Sequence, residues 1–145
     1  MLNSNQFKLQ DVKGRVDAST PNRLIPAKIS KTETGTLVAG QLVKIVDEAS
    51  KVLPLKGSSA ETDAHAGVLV LSTHRAEYKA GDIVEFAPCR SGAIVILEAN
   101  GAIGNGAKVY YAGGAKVASS GTVAIGHAFD KATADGDLIR VMLDV

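Results

Sequence analysis

The chain has 145 residues, enough for one hydrophobic core of ordinary size and too few for two comfortable domains. Apolar residues make up 46% but aromatic ones only 4%, with no Trp, so the interior must be built from Val, Ile, Leu and Ala. A net charge of +1 argues against nucleic acid as the main partner, and no apolar run approaches the ~20 residues that span a membrane.

The polar start MLNSNQFKLQ lacks the pattern of a signal peptide. Cys89 is the only cysteine, which rules out an internal disulfide or a cysteine metal cluster and fits assembly in a reducing cytoplasm. Charge is unevenly spread. Residues 1–31 carry Lys8, Lys13, Arg15, Arg23, Lys28 and Lys31 against Asp11 and Asp17, a net of +4, while residues 32–145 carry a net of −3. A basic segment therefore precedes a mildly acidic body.

In chain order, residues 1–31 show no convincing period, and Pro21 and Pro26 mark turns; they read as an extended arm and lead-in. From residue 32 to 145 the texture is that of a β domain. TLVAGQLVKIV starts it at Thr36, followed by AGVLVLS (66–72), GDIVEFA (81–87), GAIVILEA (92–99), AKVYYA (107–112), TVAIGHAF (122–129) and DLIRVMLDV (137–145). Each run is short, rich in β-branched residues and bounded by Gly, Asp, Asn or Ser. Starts about ten residues apart predict a compact all-β fold, a barrel-like or sandwich domain of short strands. The stretch from Ala49 to Gly67 is weakly patterned and reads as a surface loop, and KATADGD (131–137) as a short helical turn. A phrase recurs as AGQLVKIV at Ala39, AGDIVEFA at Ala80 and DGDLIRVM at Asp135. Its unequal spacings do not fit a solenoid, and its local meaning is a glycine turn launching a strand.

The segment GAIGNGAK, from Gly101, invites comparison with a phosphate-binding loop. That loop needs Gly-Lys followed by Ser or Thr and then a helix whose N-terminus faces the phosphate. Here Ala107 separates Gly106 from Lys108, Val109 replaces the hydroxyl, and KVYYAGG is a strand former. Gly101, Gly104 and Gly106 are expected to shape a turn, and Gly113 and Gly114 a hairpin. His65, His74 and His127 form no compact ligand set, no serine sits in a nucleophile frame, and Cys89 reads as a small buried hydrophobe. Three tyrosines are too few for a stacking platform. No catalytic residue, cofactor or metal is expected.

The order of several phrases carries a resemblance: AGQLVKIV, then HAGVLVLSTHRAEYKAGDIVEFAP, then GAIVILEANGAIGNGAKVYYAGGAKV, then IGHAFDKATADGDLIRVMLDV. Over residues 35–145 this resembles the capsid decoration, or structural cement, proteins of tailed bacteriophages; the arm lies outside the match. The resemblance implies a non-enzymatic protein on the outer surface of the virion capsid. Its partners would be the major capsid protein and further copies of itself as a homotrimer, with no nucleic acid or membrane involved. On that reading the arm supplies partner contacts, Phe7 and Leu9 as apolar anchors and Lys8, Lys13 and Arg15 as charges facing an acidic shell. Two rivals remain. A generic binding module, an adhesin or a lipoyl-type carrier, would present a lysine such as Lys79 at a hairpin tip; a small hydrolase would place a histidine beside a carboxylate in a cleft.

Overall fold

The computed structural model describes residues 13–14, 24–58, 65–71, 75 and 77–145. Within them the chain is all-β. The first half carries β1 (Ile25–Ile29), β2 (Leu37–Val38), β3 (Leu42–Ile45), β4 (Pro54–Gly57), β5 (Gly67–Leu69), β6 (Glu77–Tyr78) and β7 (Ile83–Pro88). The second carries β8 (Ile94–Ala99), β9 (Lys108–Gly113), β10 (Lys116–Ala118), β11 (Ala124–Ala128) and β12 (Leu138–Met142).

Two closed five-stranded barrels result, one ordered β1-β4-β3-β5-β7 and the other β8-β10-β9-β11-β12. Closure leaves neither barrel a free sheet edge, and the interiors are filled with side chains. The predicted runs appear as β2–β3, β5, β7, β8, β9, β11 and β12. Three expectations change. The segment from Ala49 to Gly67 is not all loop, because β4 lies in it, with Leu55 fully buried. Residues 131–137 form no helical turn; the Asp137 side chain instead accepts from the backbone amides of Thr133 and Ala134. β1 falls within residues 1–31: Ile25, Ala27 and Ile29 alternate toward the interior, a period obscured by Pro26 and Lys28 between them.

The barrels share one connectivity. In each, the first strand pairs in parallel with the third and antiparallel with the last (β1 with β4 and β7; β8 with β10 and β12). In each, the second strand pairs with the third and fourth (β3 with β4 and β5; β9 with β10 and β11), and the fourth with the last. Even the small β2–β6 pair has its counterpart in the Ile103–Ala132 bridge.

The match extends to single hydrogen bonds. Gly81 donates to the Ile29 carbonyl at 2.9 Å as Gly136 donates to Ala99 at 2.8 Å. Gly40 donates to Leu69 at 2.6 Å as Gly106 does to Ala128 at 2.8 Å, and Val70 donates to Glu85 as Phe129 does to Arg140. Counterparts are 70 residues apart at Ile29 and Ala99 but 55 apart at Val84 and Ile139, which hides the repeat from any fixed-period reading. The recurring phrases at Ala80 and Asp135 thus mark the same corner of two barrels, whereas AGQLVKIV corresponds to NGAKVYYA, from Asn105.

The cores follow suit. The first barrel encloses Ala27, Ile29, Leu37, Val43, Leu55, Leu69, Tyr78, Val84 and Phe86. Their counterparts in the second are Leu97, Ala99, Ile103, Val109, Val117, Ala128, Ala132, Ile139 and Val141, all buried. Size is redistributed: Tyr78 and Phe86 give way to Ala132 and Val141, and Tyr111, Ile125 and Leu143 fill the second interior.

The barrels are joined through one outward face of the first. Leu42, Val68, Val70 and Ala87 belong to the same buried cluster as the second barrel's core. The equivalent face of the second barrel carries Lys108, His127, Phe129 and Met142 and meets solvent. A two-fold relation would bury the same face on both barrels, so the junction is head-to-tail, and Lys108 and His127 end the series as a polar outer cap does in repeat proteins.

Gly67 and Gly126 occupy equivalent places where strands press together. A Cβ at Gly67 would lie 2.2 Å from the Ala87 carbonyl oxygen, and one at Gly126 1.8 Å from that of Met142. Backbone cannot yield as a side chain can, so Gly67→Ala and Gly126→Ala should each cost roughly 1–3 kcal/mol or more of unfolding free energy, measured by urea denaturation.

Candidate functional site

The glycine-rich segment holds no phosphate-binding geometry. Gly101 and Gly106 take positive φ of 97° and 78°, and the chain passes directly into β9 rather than into a helix. The tight β9–β10 hairpin turns on Gly114 and Ala115, both at positive φ, while Gly113 is the last residue of β9 and pairs with Lys116, so the turn lies one residue later than expected. Among the described residues no group of three or more His, Cys, Asp or Glu is placed to hold a metal. Cys89 is half-buried, and burial pushes its thiol up, away from the reactive thiolate.

His127, on β11, does lie beside a carboxylate: its Nδ1 is 2.8 Å from Asp144 Oδ1. The pair stands exposed on the outer face of the second barrel, and among the described residues no hydroxyl joins it to complete a nucleophilic arrangement. His65 instead packs edge-on to Tyr111, with ring centroids 6.0 Å apart, at the junction between the barrels. Burial there pushes the Tyr111 hydroxyl above the ordinary tyrosine range. His74 lies outside the described residues. Lys79 is in the turn before β7, but β6 and β7 do not pair, so it is not at the tip of a hairpin as a carrier lysine would be.

Of the residues expected to contact a partner, Phe7, Lys8, Leu9 and Arg15 lie outside the described set. Lys13 is described, and it sits in the seam between the barrels with its ammonium 3.6 Å from Glu98. Its neighbour Gly14, at φ +81°, donates to the Ile96 carbonyl of the second barrel at 2.6 Å and accepts from Leu71 of the first at 2.8 Å. Gly14 thus clasps both barrels with main-chain bonds, and Lys13 adds an ion pair to the second.

The surface also shows what the sequence did not single out. Ile83 is 70% and Leu138 40% exposed, the first outward residues of β7 and β12, and they occupy equivalent positions. Each follows a Gly-Asp turn whose aspartate is held by backbone amides. Asp82 accepts from Lys79 at 2.8 Å and pairs with Arg75 at 2.9 Å; Asp137 accepts from Thr133 at 2.9 Å. Hydrogen bonds from these amides hold both carboxyls below the ordinary aspartate range, with Arg75 adding to the effect at Asp82. The recurring Gly-Asp-aliphatic phrase was the signal that could have found this pair.

Comparison with known proteins agrees with this architecture. A family model described as "Structural cement protein (E217 gp24/Pam3 gp6)" matches residues 8–144, so the similarity reaches further into the N-terminal segment than residues 35–145. Among solved structures, the crystal structure of the head fiber gp8.5 N base of bacteriophage phi29 matches with a TM-score of 0.55 and 13% identity, over 85% of this chain and 94% of that one. At that identity the likeness is one of fold. No curated protein sequence matches the chain.

Two outcomes are expected. A Cβ at Gly14 would meet Ala39 Cβ at 2.6 Å and its backbone at 2.8 Å, so Gly14→Ala should lower stability by roughly 1–3 kcal/mol in urea titrations, and Lys13→Ala by less than about 1. The second concerns pH. The unfolded chain protonates Asp82 and Asp137 near pH ~4 while the folded chain resists until lower pH, so their stabilisation is present above that value and lost as pH falls through the folded pKa. Thermal midpoints measured from pH 6 to 2.5 should fall more steeply for the wild type than for an Asp82→Asn/Asp137→Asn variant.

Proposed function

The chain belongs to the phage structural cement family, and on that premise we propose that it binds the outer surface of an assembled phage head and staples adjacent major capsid subunits. The observation that carries the reading is the family match over nearly the whole chain. The architecture supports it: two fused barrels with filled interiors offer a rigid outer surface, which is what a shell-stabilising protein needs, and such a role requires no catalysis or cofactor.

The mechanism is multivalent binding. A homotrimer places several modest contacts on one rigid body, and once the first has formed the others close at high effective concentration. On this reading residues 1–12, which precede the clasp at Lys13 and Gly14 in the chain, carry a capsid contact. An extended segment can add to a neighbouring sheet through backbone hydrogen bonds, with Phe7 and Leu9 as anchors and Lys8 drawn to an acidic shell surface. Residues 1–31 and 32–145 then divide the work between reach and body, with β1 contributed to the first barrel.

Heads lacking the protein should bind it saturably in a co-sedimentation assay, and a chain beginning at Lys13, which keeps the clasp, should bind at least tenfold more weakly. Equal binding by both would place the capsid contact on the barrels. Binding by neither would refute the cement role.

A further inference from the structure

The repeated barrels present the same strand pair, or wall, twice, once as β1–β7 and once as β8–β12, each with an exposed aliphatic residue at the turn end. The charges around those residues are reversed. Along the first wall Lys79 in the turn, Ile83 and Glu85 read cation, aliphatic, anion, all exposed. Along the second, Asp135, Leu138 and Arg140 read anion, aliphatic, cation, again all exposed.

Two strand pairs of the same connectivity whose outward rows carry charge in opposite order do not suit one partner surface equally, because the order that fits one opposes the other. They do suit each other. With turn set beside turn, Lys79 meets Asp135, Ile83 meets Leu138 and Glu85 meets Arg140. We propose that the β7 wall of one copy docks on the β12 wall of a second copy of this chain, giving a head-to-tail interface. Such an interface forms a ring if its rotation closes and a filament if it does not. The inference rests on the self-associating part of the reading above and supplies its contact. Asp135 and Arg140 already have intrachain partners, Lys116 at 3.3 Å and Asp130 at 2.8 Å. Exposed pairs of this kind contribute little net stability, so the charges select orientation while the aliphatic residues supply the burial.

Sedimentation velocity on the purified full-length protein over a range of concentrations tests this. The wild type should assemble with rising concentration, while Ile83→Asp and Leu138→Asp, each lacking one wall, should stay monomeric. Mixed, the two variants should form a 1:1 dimer and nothing larger, because the intact β12 wall of one meets the intact β7 wall of the other. Glu85→Lys should weaken wild-type assembly at least tenfold. Both aliphatic side chains are exposed, so unchanged thermal midpoints check that the variants fold. A wild type monomeric throughout, a Leu138→Asp protein that assembles like the wild type, or a mixture that fails to dimerise would each overturn the proposal. Co-sedimentation of the same proteins with heads separates the two readings: loss of head binding by variants of a monomeric wild type would assign the walls to the capsid, and head binding without self-assembly would leave the cement role standing alone.

Discussion

The buried contact between the barrels is the constraint on which the rest depends. Leu42, Val68, Val70 and Ala87 point out of the first barrel, and a barrel alone would leave them in water. Covering each of the larger ones is worth roughly 1.5–3 kcal/mol, a sizeable share of a small domain's stability. The second barrel covers them, and Lys13 and Gly14 fasten the seam from outside with an ion pair and main-chain hydrogen bonds to both sides. The two halves are therefore held together through a shared buried core.

The repeat also explains where polar residues fall. Positions that close the seam in the first barrel become Lys108 and His127 in the second, so the head-to-tail series stops at two. Positions that turn the chain keep their residue type: Gly40 and Gly106, Gly81 and Gly136, Asp82 and Asp137 are pairs, because a positive φ or a carboxylate bonding backbone amides restricts what can stand there. Interior positions vary freely in size as long as each barrel fills. Constraint on the backbone, rather than on side-chain identity, is what the two halves have in common.

The described residues that chemistry would most readily use have structural settings. The His127–Asp144 pair is a surface ion pair, the thiol of Cys89 is kept protonated by burial, and the glycines of the 101–106 segment serve a turn. The surface also carries charge and exposed aliphatic residues at repeated places.

By itself the sequence determined the all-β class, the strands with continuous β-branched runs, the turns built on glycine and aspartate, and the resemblance to phage cement proteins. Those follow from local physics: period-two burial and positive φ are written residue by residue. β1 and β4 were illegible because Pro26, Lys28 and Lys56 interrupt their apolar pattern, and they become strands through pairing with each other and with β7 and β3. Tertiary structure alone decided that the strands close into two barrels rather than one, and that Lys13 belongs to the seam. It alone brought Ile83 and Leu138 to equivalent places. Closure and equivalence depend on pairings between residues far apart in the chain, and loops of unequal length erase the regular spacing by which a sequence could announce them.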